Sequence, residues 1–227
     1  SGKTTKDVTT LQTNVLTAVA SYNNDTLEDF AGMFRYSQVL QDINEADTSI
    51  LSNITTLKMY KYITPTLSSA LKYTLDFNNA LYNPHSGHNS TGGGIISSTG
   101  FKIDGDTTNE HFLDDDGAGV VRVYYLNGAT RVYTDSTYGT VDYATGEVIL
   151  TSANITNISD VDGAASTQIR VFVIPSSNDI VPVRNQVLSI DTSNSTITGE
   201  VDGIVSGSSQ AGTSYTTTSS YSGGSSY

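Results

Sequence analysis

The spacing of apolar residues changes once along this chain, and that change restricts the fold more than any other feature. Across the first fifty residues Val8, Leu11, Val15, Ala18, Val19 and Tyr22 recur at steps of three and four, which places them on one stripe of a helix. Asp25 followed by Glu28 has the spacing of a capping box, opening a short second helix through Leu27 and Phe30. Ser37 stands where it would cap a third, with Leu40 and Ile43 facing inward. From Asn53 onward the period is two. The order predicts an α+β fold: amino-terminal helices, then a mostly antiparallel β domain with hairpins.

The strand reading proceeds from turn to turn. Ile54 to Ile63 alternates up to Pro65, and Leu71 to Phe77 supplies a second strand. Residues 82–94 form a polar loop whose glycines at 92, 93 and 94 permit almost any backbone path. Ile95 to Ile103 reads as a short strand and Asp104 to Gly119 as a turn-rich connection. Val120 to Leu126 meets Asn127-Gly128 and returns through Arg131 to Thr134, the signature of a hairpin with a type I′ turn. A second hairpin joins Thr140–Tyr143 to Glu147–Thr151 through Ala144-Thr145-Gly146, with Gly146 at the left-handed position. Ile169 to Ile174 is β-branched and aromatic, as a central strand is. Gln186–Ile190 and Thr196–Val201 form the last expected pair. The expected organisation is a helical segment 1–52, a β domain 53–205 and a Gly/Ser/Thr/Tyr-rich tail 206–227, held along a partner or a sheet edge. The helical stripe needs a covering surface, either the chain's own sheet or another subunit.

Composition narrows the function. Charged residues make up only 15% of the chain, and Ser, Thr, Asn, Gly and Tyr fill the gap, a neutral polar balance suited to β-rich particle proteins. With 11 basic and 23 acidic residues the net charge is −12. Such a surface repels phosphate, and the basic residues are scattered singly, which argues against a nucleic-acid partner. Cysteine is absent, so disulfides, thiolate nucleophiles and Cys-ligated zinc are excluded. No run approaches the roughly 18 apolar residues of a membrane-spanning helix, and Ser1 to Thr10 has no apolar core of a signal peptide. The chain does not begin with Met, as expected of a fragment or a processed product.

Candidate chemistry is sparse. His85 and His88 have the spacing to share a metal, but their loop offers no further ligand at regular spacing, so surface histidines are the simpler reading. Asp114-Asp115-Asp116-Gly117 resembles the start of a calcium loop, yet Tyr125 stands where an EF-hand needs Glu; a solvated acidic turn is expected instead. No Gly-x-Ser-x-Gly elbow, phosphate loop or dinucleotide fingerprint is present. No catalytic residue, cofactor, metal or small-molecule substrate is expected, which leaves binding and assembly as the leading class. Exposed Tyr side chains keep a receptor- or carbohydrate-binding virion module as the alternative, and a glycan hydrolase ranks third.

Long segments carry a resemblance. FNNALYNPHSGHN at 77–89, GGIISSTGFKIDG at 93–105, GTVDYATGEVIL at 139–150, ITNISDVDGA at 155–164, IPSSNDIVPVRNQVLSID at 174–191 and AGTSYTTTSSY at 211–221 resemble the inner-ring baseplate wedge protein of T-even-like contractile-tailed phages, of the myophage and cyanophage type. FRYSQVLQDINEADTSI at 34–50, between a helix and a strand, looks like the carboxy-terminal region of baseplate-J-like proteins. The resemblance implies a carboxy-terminal portion of a structural protein in the virion tail baseplate, made in the host cytoplasm. It implies pairing with a second copy into a homodimer, contacts with other wedge proteins, linkage of wedges into a ring around the hub, and relay of the baseplate switch to sheath contraction. No catalytic residues come with it. Interface candidates come from physical reasoning: Pro182 fixes the backbone direction, Arg184 can make a bidentate contact, and Asn185 and Gln186 complete the corner, although a rigid corner within the domain at Val181 to Gln186 is the simpler reading.

Overall fold

The computed structural model describes residues 6–28, 32–161, 163–183 and 186–200. Helix α1 (Val8–Tyr22) runs directly into a π-helical turn (Asn23–Leu27), and α2 (Tyr36–Glu45) follows. The strands come next: β1 (Met59–Ile63), β2 (Ala70–Asp76), β3 (Ser97–Ser98), β4 (Phe101–Ile103), β5 (Asp106–Asp115), β6 (Val120–Asn127), β7 (Thr130–Asp142), β8 (Glu147–Ile158) and β9 (Ile169–Val173). All their pairings are antiparallel. The chain is therefore α+β in the expected order.

The α1 stripe is covered by the chain itself. Val15 and Tyr22 join Leu27, Phe34, Val39, Ile43 and Ile180 in one buried cluster, with Leu188, Ile190 and Ile197 packed against it. The last three belong to the segment after β9, which crosses back over the helices as a strap. Main-chain bonds fix its path: Phe34 and Ile180 exchange N–H···O bonds of 3.0 Å each way. Gln12 Nε2 donates to Ile197 O (2.8 Å) and Ile190 N–H to Asn23 Oδ1 (2.6 Å).

Local signals in this half were misleading. No separate helix opens at Asp25. Glu28 accepts from Asn23 Nδ2 at 2.8 Å, and α1 widens into the π turn that buries Leu27; Phe30 lies outside the described residues. Ser37 is exposed, and the first turn of α2 is capped from the strap instead, where Tyr36 N–H donates to Asp179 Oδ1 (2.8 Å). Val39 and Ile43 face inward, whereas Leu40 is half-buried.

The strands form two sheets. One has the order β1-β9-β3. In the other, β8-β4-β5-β6-β7 closes on itself through the β7–β8 pairing, with β2 added outside. Thr74 of β2 and Thr140 of β7 both pair with Ile149, so they flank β8 on opposite edges. Where β7 meets β8, Gly139 pairs with Leu150. A Cβ at Gly139 would lie 2.0 Å from the carbonyl oxygen of Ile149; only glycine allows so close a crossing. Phe101, Leu113, Val121, Val123, Val148, Leu150 and Ile155 from the ring share one core with Ile169, Val171 and Val173 of the small sheet.

Several strand boundaries differ from the sequence reading. Only Met59–Ile63 of the first expected strand pairs. Ile95–Ile103 divides between the two sheets as β3 and β4. Asp104–Gly119 is no connection, since it holds the ten-residue strand β5. The β6–β7 turn is Gly128-Ala129, because Asn127 pairs with Thr130. With positive φ at Gly128 and not at Ala129, it has the φ pattern of a type II′ turn. Gly146 is left-handed as expected (φ +78°). Among the described residues neither 186–190 nor 196–200 is a strand; both lie in the strap. The tail 206–227 lies outside the described residues.

Candidate docking surface

Two of the three aspartates in the acidic run are buried, which overturns their reading as a solvated turn; Asp116 is half-buried and caps the β5–β6 turn, accepting the amides of Ala118 (2.8 Å) and Val120 (2.9 Å). Asp114 and Asp115 are at most 1% exposed. Asp114 on β5 accepts from Arg122 Nε (2.9 Å), Arg131 Nη1 (2.7 Å) and Tyr133 Oη (2.8 Å), all from β6 and β7. Each guanidinium stacks on a tyrosine, Arg122 over Tyr133 at 4.3 Å and Arg131 over Tyr124 at 4.6 Å. Asp115 Oδ1 accepts the amides of Ile95 (2.6 Å) and Ile96 (2.8 Å), and Oδ2 accepts Tyr143 Oη at 2.6 Å. Burial first, and then this bond, push the Tyr143 phenol well above its ordinary value. The lone pairs that would hold calcium are committed to the fold.

His111 is also interior. Its Nε2 lies 3.1 Å from Thr134 Oγ1 and 3.5 Å from Asp106 Oδ2, with the Tyr125 ring beside it, while buried Nδ1 has no partner among the described residues. Desolvation holds its pKa below the ordinary value of 6.5, against the pull of Asp106. Protonation would bury an N–H with no acceptor. A depressed folded pKa means that the unfolded chain binds the proton more readily. Stability is therefore expected to be full above about pH 6.5 and to fall as pH drops from there through the folded pKa. Urea midpoints measured from pH 7.5 to 5 check this, and His111→Gln is expected to flatten the decline.

The exposed apolar residues lie elsewhere. In the segment between α2 and β1, Ile54 is 99% and Leu51 78% exposed, although Leu57 in the same segment packs on the helical core. In the strap, Val181 (51%) and Val187 (57%) flank the corner singled out from sequence. There Pro182 is half-buried and Gln186 exposed, with Gln186 N–H closing a turn onto Val183 O at 3.0 Å; Arg184 and Asn185 lie outside the described residues.

Between these two segments the outer face of β1 and β9 presents Tyr60, Tyr62, Phe172 and Arg170. Tyr60 packs edge-on to Tyr62 (5.3 Å) and against Phe172 (5.5 Å), and its hydroxyl donates to Asp191 Oδ2 at 2.7 Å. Strap residues 189–194 wall this face into a shallow, open recess. Its one carboxylate is already bonded to Tyr60 and Asn194. With that carboxylate committed, the recess presents aromatic rings, hydroxyls and the Arg170 side chain. Sequence reading missed it because Asp191 and Tyr60 are 131 residues apart; the alternation of Tyr60 and Tyr62 was the available signal.

The molecule is a strapped helical unit on a β core; Leu51, Ile54, Val181 and Val187 are exposed on the connecting segments, and Leu16, Leu67, Leu71 and Leu126 are exposed elsewhere. Residues 1–62 match the family model described as baseplate structural protein gp6, C-terminal domain III. No curated protein matches the chain closely enough to count as a relative. The family match supports a structural role in a phage baseplate, a place in the virion tail and contacts with other baseplate proteins. It takes in both helices, the 34–50 stretch, Leu51, Ile54 and most of β1.

Proposed function

We propose that this chain is the carboxy-terminal portion of an inner-ring wedge protein of a contractile-tail baseplate. It pairs with a second copy and with neighbouring wedge proteins, links wedges into the ring around the hub, and relays the baseplate switch to the sheath. The observation that carries this reading is the coincidence of the family match with unpartnered apolar side chains, Leu51 and Ile54, inside the matched segment. Leaving such residues in water forgoes about 1.5–3 kcal/mol each of burial, which a partner recovers.

Sedimentation of the protein across concentration tests it. A reversible dimer is expected, and the double substitution Leu51→Asp with Ile54→Asp is expected to weaken it at least about tenfold, the equivalent of 1.4 kcal/mol. A monomer at every concentration argues against self-pairing. The half-exposed Tyr62 beside Tyr60 favours the second reading, a carbohydrate-binding virion module. Glycan-array binding without self-association supports that one.

A further inference from the structure

His85 and His88 stand apart from the docking surface, in a tight turn closed by His88 N–H donating to His85 O at 3.1 Å. Gly87 (φ +77°) and Asn89 (φ +52°) set its left-handed positions. Gly87 N–H also donates to Gly117 O at 2.8 Å, which anchors the turn to the β5–β6 connection. The two rings face each other at 4.9 Å and 83°, with His88 Nδ1 3.3 Å from His85 Nε2. Two ring nitrogens on one tetrahedral ion, each at about 2.0–2.1 Å, stand about 3.3–3.4 Å apart. The pair already has the spacing of a ligand–ligand edge.

A second observation concerns the tautomer. His85 Nδ1 lies 3.2 Å from the carbonyl oxygen of Ser86. A carbonyl only accepts, so Nδ1 carries the proton and the Nε2 lone pair faces His88, accepting its Nδ1–H until an ion takes that proton's place. A ring N–H held by a backbone carbonyl is the arrangement that orients metal-bound histidines. The Tyr82 ring, edge-on at 5.3 Å, holds His88 from the other side.

We propose that His85 and His88 form a bidentate clasp for a first-row transition ion of the zinc class. Two imidazoles suit zinc, copper or nickel and not magnesium or calcium, which take oxygen ligands. When the ion binds, His88 carries its proton on Nε2 instead of Nδ1. Among the described residues no group of three His, Cys, Asp or Glu is placed to hold a metal. The remaining positions therefore fall to water or to the same pair in a second copy.

Calorimetric titration of the untagged full chain with Zn²⁺, with Mg²⁺ as the comparison, tests the clasp. Saturation is expected for Zn²⁺ alone, at one ion per chain if water completes the site and one per two chains if a second copy does. His85→Gln and His88→Gln are each expected to weaken binding by at least about tenfold, since even outer-shell partners are worth 10- to 100-fold. Cu²⁺ in place of Zn²⁺ should give a paramagnetic resonance spectrum with coupling to two imidazole nitrogens. An isotherm that does not saturate, or one unchanged in both histidine variants, overturns the proposal.

Discussion

Replacing Asp115 by alanine is expected to cost the fold at least about 4 kcal/mol, and so to unfold much of the protein at 37 °C. The side chain is fully buried and serves four donors at once: the amides of Ile95, Ile96 and Gly117 and the hydroxyl of Tyr143. A buried donor left without an acceptor costs about 1–3 kcal/mol, so four orphans approach the 5–15 kcal/mol that holds a domain folded. Asp115→Asn retains one acceptor oxygen and is expected to lose less. Urea unfolding of the three proteins decides the matter, and an alanine variant within 1 kcal/mol of the parent would falsify the account.

Gly139→Ala is expected to be nearly as damaging, at about 3 kcal/mol or more. Its new methyl would meet the Ile149 carbonyl oxygen at 2.0 Å and the Leu150 Cα at 3.1 Å, both main-chain atoms. A side-chain clash relaxes by rotation, but here the β7–β8 seam must part, and that seam closes the ring. Overpacking where neighbours can shift costs about 1–3 kcal/mol; a rigid seam belongs at or above the top of that range. Gly128→Ala is the matched control. Nothing lies within 4 Å of its Cβ, and the only strain is the left-handed φ of +63°, worth about 1–2 kcal/mol. Equal thermal midpoints for the two variants would show that the seam yields.

The elements that depend on near neighbours were readable before the fold was known. The α1 stripe, the two hairpins and the β9 run all announced themselves by period or turn residues. Strand β5 did not. Its polar first half and terminal aspartates look like a loop; in the fold Arg122 and Arg131 neutralise Asp114 from β6 and β7, and main-chain amides with Tyr143 hold Asp115. The triple glycine 92–94 reads as freedom and acts partly as clearance, letting the chain lie against Asp115 and Arg131. The Tyr60–Asp191 recess is not legible in the sequence, because it arises from packing across the chain; the contact role of the Pro182 corner remains a proposal.

The change of apolar period at Asn53 by itself determined an α+β chain with helices first, because period three-to-four and period two are properties of single elements and need no partner to be expressed. Tertiary structure alone decided what covers the α1 stripe, where the acidic run lies and how the ring closes. Each of those depends on contacts between residues far apart in the chain: Phe34 with Ile180, Asp114 with Arg131, and, at the seam, Thr74 and Thr140 both against Ile149. Such contacts follow from burial and charge neutralisation summed over the whole molecule, which no local window of sequence contains.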